Sequence, residues 1–222
     1  MEILHILKMN LETEIYTRQN SRWPERGRVI LAQYDAESVI VYQAYRPAIG
    51  NFAATNGYFG GPFKLTRMTW IKPNFLWMMY RCGWGRKEGQ EVILAIRLKR
   101  AAFDEILKQA VHSSYKPKLY SSKEEWKRAV DASDVRLQWD PDHDPHGHKV
   151  ERRAIQLGLR GDVIAKYAQD WILNIQDISE FVAEQRLHAI AGEYDQLLTP
   201  SESAYPVTDS DVANKLGLSS NP

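Results

Sequence analysis

Residues Phe75-Leu76-Trp77-Met78-Met79-Tyr80 form an unbroken run that is apolar or aromatic around the whole circumference of any helix it makes. A helix at a protein surface keeps one polar face, so this one must be buried on all sides. The remainder of the chain has to wrap it. With 222 residues there is enough polypeptide to bury most of the apolar surface around one core. Pro73 suits the entry of such a helix, and Gly83 or Gly85 its end.

The flanking sequence supplies strands. Val39-Ile40-Val41-Tyr42-Gln43-Ala44-Tyr45 is β-branched and aromatic with apolar residues on both faces, which predicts a strand covered on both sides and ended by Arg46-Pro47. Val29 to Tyr34 precedes it, and Thr66 to Lys72 reads as extended. Between Glu91 and Lys99, Val92, Leu94, Ile96 and Leu98 alternate with the other face, the period-two pattern of a strand. Val135 to Trp139 and Arg152 to Arg160 read likewise, with Gly161 closing the second.

Helices are expected between these strands. Ala48 to Phe59 is a short one weakened by Gly50 and Gly57, and Ala101 to Val111 carries an apolar stripe of Phe103, Ile106, Leu107 and Ala110. Overlapping capping boxes, Ser121/Glu124 and Ser122/Glu125, open a third that runs through Val130. Asp162 to about Ala191 reads as a helix bent near Asn174 to Asp177, with Ile175, Ile178, Val182 and Ala189 buried and Gly192 as its stop. Interleaved strands and helices imply an α+β fold: a single domain over residues 1–192, a central mixed or split sheet flanked by helices, and a helical C-terminal part. Residues 193–222, rich in Ser, Pro and Asp, are expected to be a loosely ordered tail.

Several function classes drop out. No apolar run approaches the ~18–20 residues of a bilayer span, and no secretory signal is read at the start. A lone Cys82 suits a reducing compartment, so the expected location is cytoplasmic, with no membrane partner. The chain lacks a phosphate loop, a Gly-x-Gly-x-x-Gly turn and a nucleophile elbow, which disfavours a classical nucleotide kinase, dehydrogenase or serine hydrolase. Charge is unevenly placed. Nine bases between Lys64 and Arg100 face only Glu88 and Glu91, whereas ten acids outnumber three bases from Asp162 onward. The basic segment points to an anionic ligand, a nucleotide or a nucleic acid.

Four clusters carry candidate chemistry. Thr66 to Gly85 combines Arg67, Lys72 and Arg81 with Trp70, Trp77, Tyr80 and Trp84, which joins guanidinium forks for phosphate to aromatic faces that stack on bases. Arg46, with Asn51 just beyond, presents a cation at a strand end. On the strand from Arg152, period two places Arg152, Ala154, Gln156, Gly158 and Arg160 on one face, a strip of small residues around one amide that lets a ligand or another backbone approach. Glu151 is the nearby carboxylate. Asp140 to His148 holds three His and three Asp, but its prolines and Gly147 make it a turn-rich loop without metal-ligand spacing, and no metal is expected.

Gly27 to Asp35, Val41 to Tyr45, Arg67 to Pro73, Phe75 to Arg81 and Arg153 to Gly158 together resemble a widespread microbial and fungal family named only as domain of unknown function 4291, over about Gly27 to Val182. The order of elements is also similar to the split-sheet ADP-ribosyltransferases: a strand ending in Arg46, a strand with Arg67 to Trp70, a helix, the strand Val92 to Leu98, and a late strand near Glu151 to Leu159. That similarity implies NAD as cofactor. It implies Arg46, Asn51, Arg67, Trp70, Tyr80, Arg81 and Trp84 in cofactor binding, with Glu151 or Gln156 orienting a ribose hydroxyl as the catalytic group. The implied function is a nucleotide-binding transferase that acts on nucleic acid. The alternative is a non-catalytic module that grips single-stranded nucleic acid on the Lys64–Arg100 surface.

Overall fold

The computed structural model describes residues 11–219. In chain order the elements are β1 (Thr13–Ile15), α1 (Tyr16–Asn20), β2 (Gly27–Arg28), β3 (Leu31–Ala32), β4 (Ser38–Tyr45), α2 (Pro47–Asn56), β5 (Thr69–Ile71), α3 (Phe75–Cys82), β6 (Val92–Lys99), α4 (Arg100–Gln109) and β7 (Val111–His112). Then follow α5 (Lys123–Ala132), β8 (Val135–His143), β9 (Lys149–Leu159), α6 (Gly161–Lys166), a π-helical turn (Tyr167–Trp171), β10 (Ile172–Asp177), α7 (Ser179–Ala191), β11 (Leu198–Pro200), β12 (Ser203–Ala204) and α8 (Ser210–Leu216).

Two sheets organise the molecule. β4, β6 and β10 form an antiparallel sheet with β6 central. A mixed, curled sheet runs β2–β9–β8–β7, and β5 adds to β9 with Trp70 opposite Gly158. The sheets meet at one backbone bridge: Tyr42 donates to the Lys72 carbonyl at 2.7 Å and Lys72 donates back at 3.3 Å. The two sheets thus adjoin along a seam between β4 and β5, and the fold is α+β.

The all-apolar run becomes α3, with every residue from Phe75 to Met79 buried, whereas Tyr80, the last of the run, is exposed and departs from the expected all-round burial. Asn74, rather than Pro73, starts it: the Asn74 side chain accepts the Trp77 N–H at 2.6 Å, and Gly83 ends the helix at φ 59°. Behind this N-terminus lies a buried polar group. The Glu202 carboxylate accepts from the Phe75 N–H at 2.6 Å and from Asn74 Nδ2 at 3.1 Å. Close by, Arg152 pairs with Asp142 at 2.7 Å, and its guanidinium lies over the Trp23 ring.

Most predicted elements appear, with shifted ends. The α5 cap is Ser122, which accepts the Glu125 N–H, while the Glu125 carboxylate takes the Ser121 N–H and hydroxyl. Val29 to Tyr34 yields only the short β3, because β12 and an isolated bridge from Tyr34 to Val39 are its only ladder partners among the described residues. Two expectations change more. The bend expected near Asn174 to Asp177 is the strand β10, since this segment completes the edge of β6. Residues 193–219 are not a loose tail here: Leu197, Thr199, Glu202, Tyr205 and Leu216 are buried, and β11 pairs with β1. Sparse apolar residues suffice because each enters a slot that the body provides. No helix among the described residues is long and apolar enough to cross a membrane.

Candidate functional site: a groove at the sheet seam

A splayed seam leaves a concave face, and α3 roofs part of it. The inner chamber, about 410 Å³, is walled by Trp70 and Lys72 at β5, Trp77 and Arg81 on α3, Gln138 and Asp140 on β8, and Gln156 on β9. An outer chamber of about 530 Å³ is lined among others by Arg46, Lys64, Arg67, Met68 and Thr69. A neck of about 170 Å³ joins their walls, sharing Tyr45, Met68 and Thr69 with the outer chamber and Trp70, Lys72 and Arg81 with the inner one.

Local sequence explains each wall. Gly158 lets the Trp70 indole lie against β9, because a Cβ there would meet Met68 Sδ at 2.7 Å and Trp70 Cζ2 at 3.0 Å. Cross-strand pairing sets Gln138 opposite Gln156. Their amides clamp the Asp140 carboxylate from both sides: Gln138 Nε2 donates to Oδ1 at 2.9 Å and Gln156 Nε2 to Oδ2 at 2.7 Å. Arg81 occupies the last turn of α3, where a cation complements the helix dipole. At the neck, Gln43 fixes the backbone frame by donating to the Thr69 hydroxyl at 2.7 Å and the Trp70 carbonyl at 3.1 Å, while Tyr167 donates to Gln43 Oε1 at 2.6 Å.

Lys72 is the exceptional member. Only 6 % of it is exposed, yet its ammonium makes no hydrogen bond or ion pair among the described residues. Burial, helped by the nearby Arg81 charge and opposed by Asp140, lowers its pKa from 10.5 to about 8. Arg46, Lys64, Arg67 and Arg81 are exposed and likewise carry side chains without a polar partner among the described residues. The groove therefore combines cations without a hydrogen bond or ion pair at both ends, indole walls and one oriented carboxylate.

The predicted site residues distribute as follows. Arg46 and Arg67 share the outer chamber, and Trp70, Arg81 and Gln156 share the inner one. Asn51 is exposed on α2 and outside these walls. Tyr80 lines none of the chambers; it stacks on His143 with ring centroids 3.5 Å apart and on the inner-chamber wall Trp77 at 5.5 Å. Trp84 packs edge-on against Phe75 in a left-handed conformation, φ 55°. Glu151 is exposed on β9 and lines none of the chambers. Its parity explains this: period two puts residue 151 on the face opposite Gln156. The sequence reading missed Asp140, placed in a loop but carried by β8, and gave Lys72 no special weight. A Gln at matched positions of two paired strands was the available signal.

Cys82 is buried at the end of α3, where burial raises its thiol pKa. Among the described residues, no group of His, Cys, Asp or Glu is placed to hold a metal ion. No curated protein matches this chain. A family model described as a domain of unknown function (DUF4291) does match, over residues 29–205, and the strands and helix that build the groove all fall within it. The chain belongs to that DUF4291 family.

Proposed function

We propose that the groove binds a dinucleotide such as NAD and that the protein is a transferase resembling the ADP-ribosyltransferases. The observation that carries this reading is the meeting of Lys72, Arg81, Asp140 and Gln156 with two indoles in one chamber at the seam of a split sheet. Arg46, Lys64 and Arg67 all line the outer chamber and supply cations for a diphosphate, and the Trp70 and Trp77 walls suit a nicotinamide or adenine face.

Bound NAD would supply an ADP-ribosyl group, whose bond to nicotinamide breaks with the electron pair leaving on the nicotinamide nitrogen. Asp140, rather than Glu151, is the carboxylate in position to accept a ribose hydroxyl and to offset positive charge growing at the sugar carbon. The amides of Gln138 and Gln156 hold it in orientation, so it needs no reorganisation at the moment of reaction. Lys72 with its lowered pKa can take the acceptor's proton at mildly alkaline pH.

Titration with NAD should raise the melting temperature, and incubation with candidate acceptors should release nicotinamide. Asp140→Asn should retain NAD binding and lose at least about a hundredfold in turnover, the scale of one removed electrostatic stabiliser. Absence of both NAD binding and nicotinamide release would overturn the reading. Binding of single-stranded oligonucleotide through the same groove with no chemistry would favour the non-catalytic alternative, which the exposed Arg67 and Met68 at its outer rim support.

A further inference from the structure

A second basic pocket lies behind the inner chamber. β7 ends after His112, having paired with β8 only at Arg136 and Leu137, and it leaves the next part of the β8 edge uncovered. The resulting hollow, about 280 Å³, is lined by Arg28, His112, Ser113, Ser114, Lys116 and Arg153, with Gln138 and Trp139 in its wall. It includes no carboxylate. α8 fixes one side: its Leu216 carbonyl accepts from Trp139 Nε1 at 2.9 Å and its Lys215 carbonyl bonds the His112 ring at 3.1 Å.

The open valences here are donors. Lys116 and Arg153 make no side-chain hydrogen bond or ion pair among the described residues, and the hydroxyls of Ser113 and Ser114 are equally without partners there. Burial keeps the His112 pKa low, and the charges of Lys116 and Arg28 push it the same way, which marks a locally positive field. Two guanidinium groups, an ammonium and two hydroxyls suit a phosphate.

Gln138 belongs to the wall of both this pocket and the inner chamber. Two neighbouring anion sites on either side of one side chain suit a ligand whose phosphates are spaced along a chain; a mononucleotide carries its phosphates in one cluster. A concave hollow of this volume admits a single nucleotide unit and not a duplex. We infer that this pocket holds a backbone phosphate of a single-stranded nucleic acid, with the adjoining nucleotide passing Gln138 toward the groove. That this strand is the acceptor rests on the transferase reading; that it binds does not.

The test is fluorescence anisotropy of the full chain with a short labelled single-stranded oligonucleotide across a salt series. Arg153 is exposed and Lys116 partly so, and neither supports another element, so the double variant Arg153→Gln/Lys116→Gln should fold. It is expected to bind at least about tenfold more weakly, with the slope of log affinity against log salt reduced by roughly 0.7 for each phosphate that the protein no longer neutralises. Its melting-temperature shift with NAD should match the parent, which separates this site from the groove. Unchanged oligonucleotide affinity in the variant, or no binding by the parent at low salt, would overturn the inference. So would a parent that binds inorganic phosphate or a mononucleotide as tightly as the oligonucleotide, since the pocket would then be a small-anion site.

Discussion

Two regions beside α3 handle buried titratable groups in contrary ways. Behind its N-terminus, Glu202 receives the Phe75 N–H and the Asn74 amide, and Asp142 is held by Arg152, so each buried acid has hydrogen-bond partners. In the groove, Lys72 is nearly as buried and its ammonium has no hydrogen bond or ion pair among the described residues, only the nearby Asp140 charge. Burying an ion without a partner costs free energy that folding must recover elsewhere. The first region therefore reads as architecture, and the second as the place where a cation lacks the hydrogen bonds that burial calls for.

The strongest perturbation tests the satisfied side. Arg152→Ala leaves Asp142 buried without its cation and should cost about 3–5 kcal/mol of unfolding free energy in urea. A loss below about 1 kcal/mol would mean that water already reaches the pair and would erase the contrast.

Lys72→Met should act in the opposite direction. The ammonium has a pKa near 8 in the folded chain and near 10.5 when unfolded, so at neutral pH its protonation opposes folding by up to about 3 kcal/mol. Between pH 8 and 10.5 the unfolded chain binds the extra proton, and this contribution to stability rises with pH. The variant should be more stable at pH 7, lose that rise, and lose anion binding. A destabilised Lys72→Met would show instead that Lys72 belongs with the structural charges.

Asn74→Ala removes both the α3 cap and a donor to Glu202, and should lower stability by about 1–2 kcal/mol in thermal or urea unfolding. Burial raises the Glu202 pKa well above the carboxylate range. Its folded form therefore binds the proton more tightly than the unfolded form, and its contribution to stability falls as pH climbs through the raised value. Glu202→Gln should flatten that part of the pH profile. The mildest change is reserved for the surface: Arg22→Ala breaks an exposed pair with Glu14 and should leave the unfolding midpoint in urea nearly unchanged.

Many of these elements are legible in the sequence, for identifiable reasons. β4 and β6 announce themselves because strands buried on both faces, or alternating cleanly, leave a pattern that local chemistry enforces. α3 follows from its all-round apolarity and its Gly83 end, although its cap is Asn74 and not the expected Pro73. Arg46, Arg67, Trp70, Arg81 and Gln156 stand out by residue type. β10 is hidden because Ile172–Asp177 becomes a strand by completing the β6 edge, a pairing about 75 residues away in the chain that no local window contains. The packed C-terminal segment is hidden for the same reason.

Residue order alone specifies the element types, the burial of α3, the concentration of cations between Lys64 and Arg100, and the family to which the chain belongs. It took the folded chain to show that Asp140 and not Glu151 lines the groove, that Tyr80 and Trp84 line none of its chambers, and that the Lys72 ammonium has no hydrogen bond or ion pair among the described residues. Residue type and periodicity act locally. Which charges end up facing one cavity depends on strand register and on where two sheets part, and both are set by pairings between residues far apart in the chain.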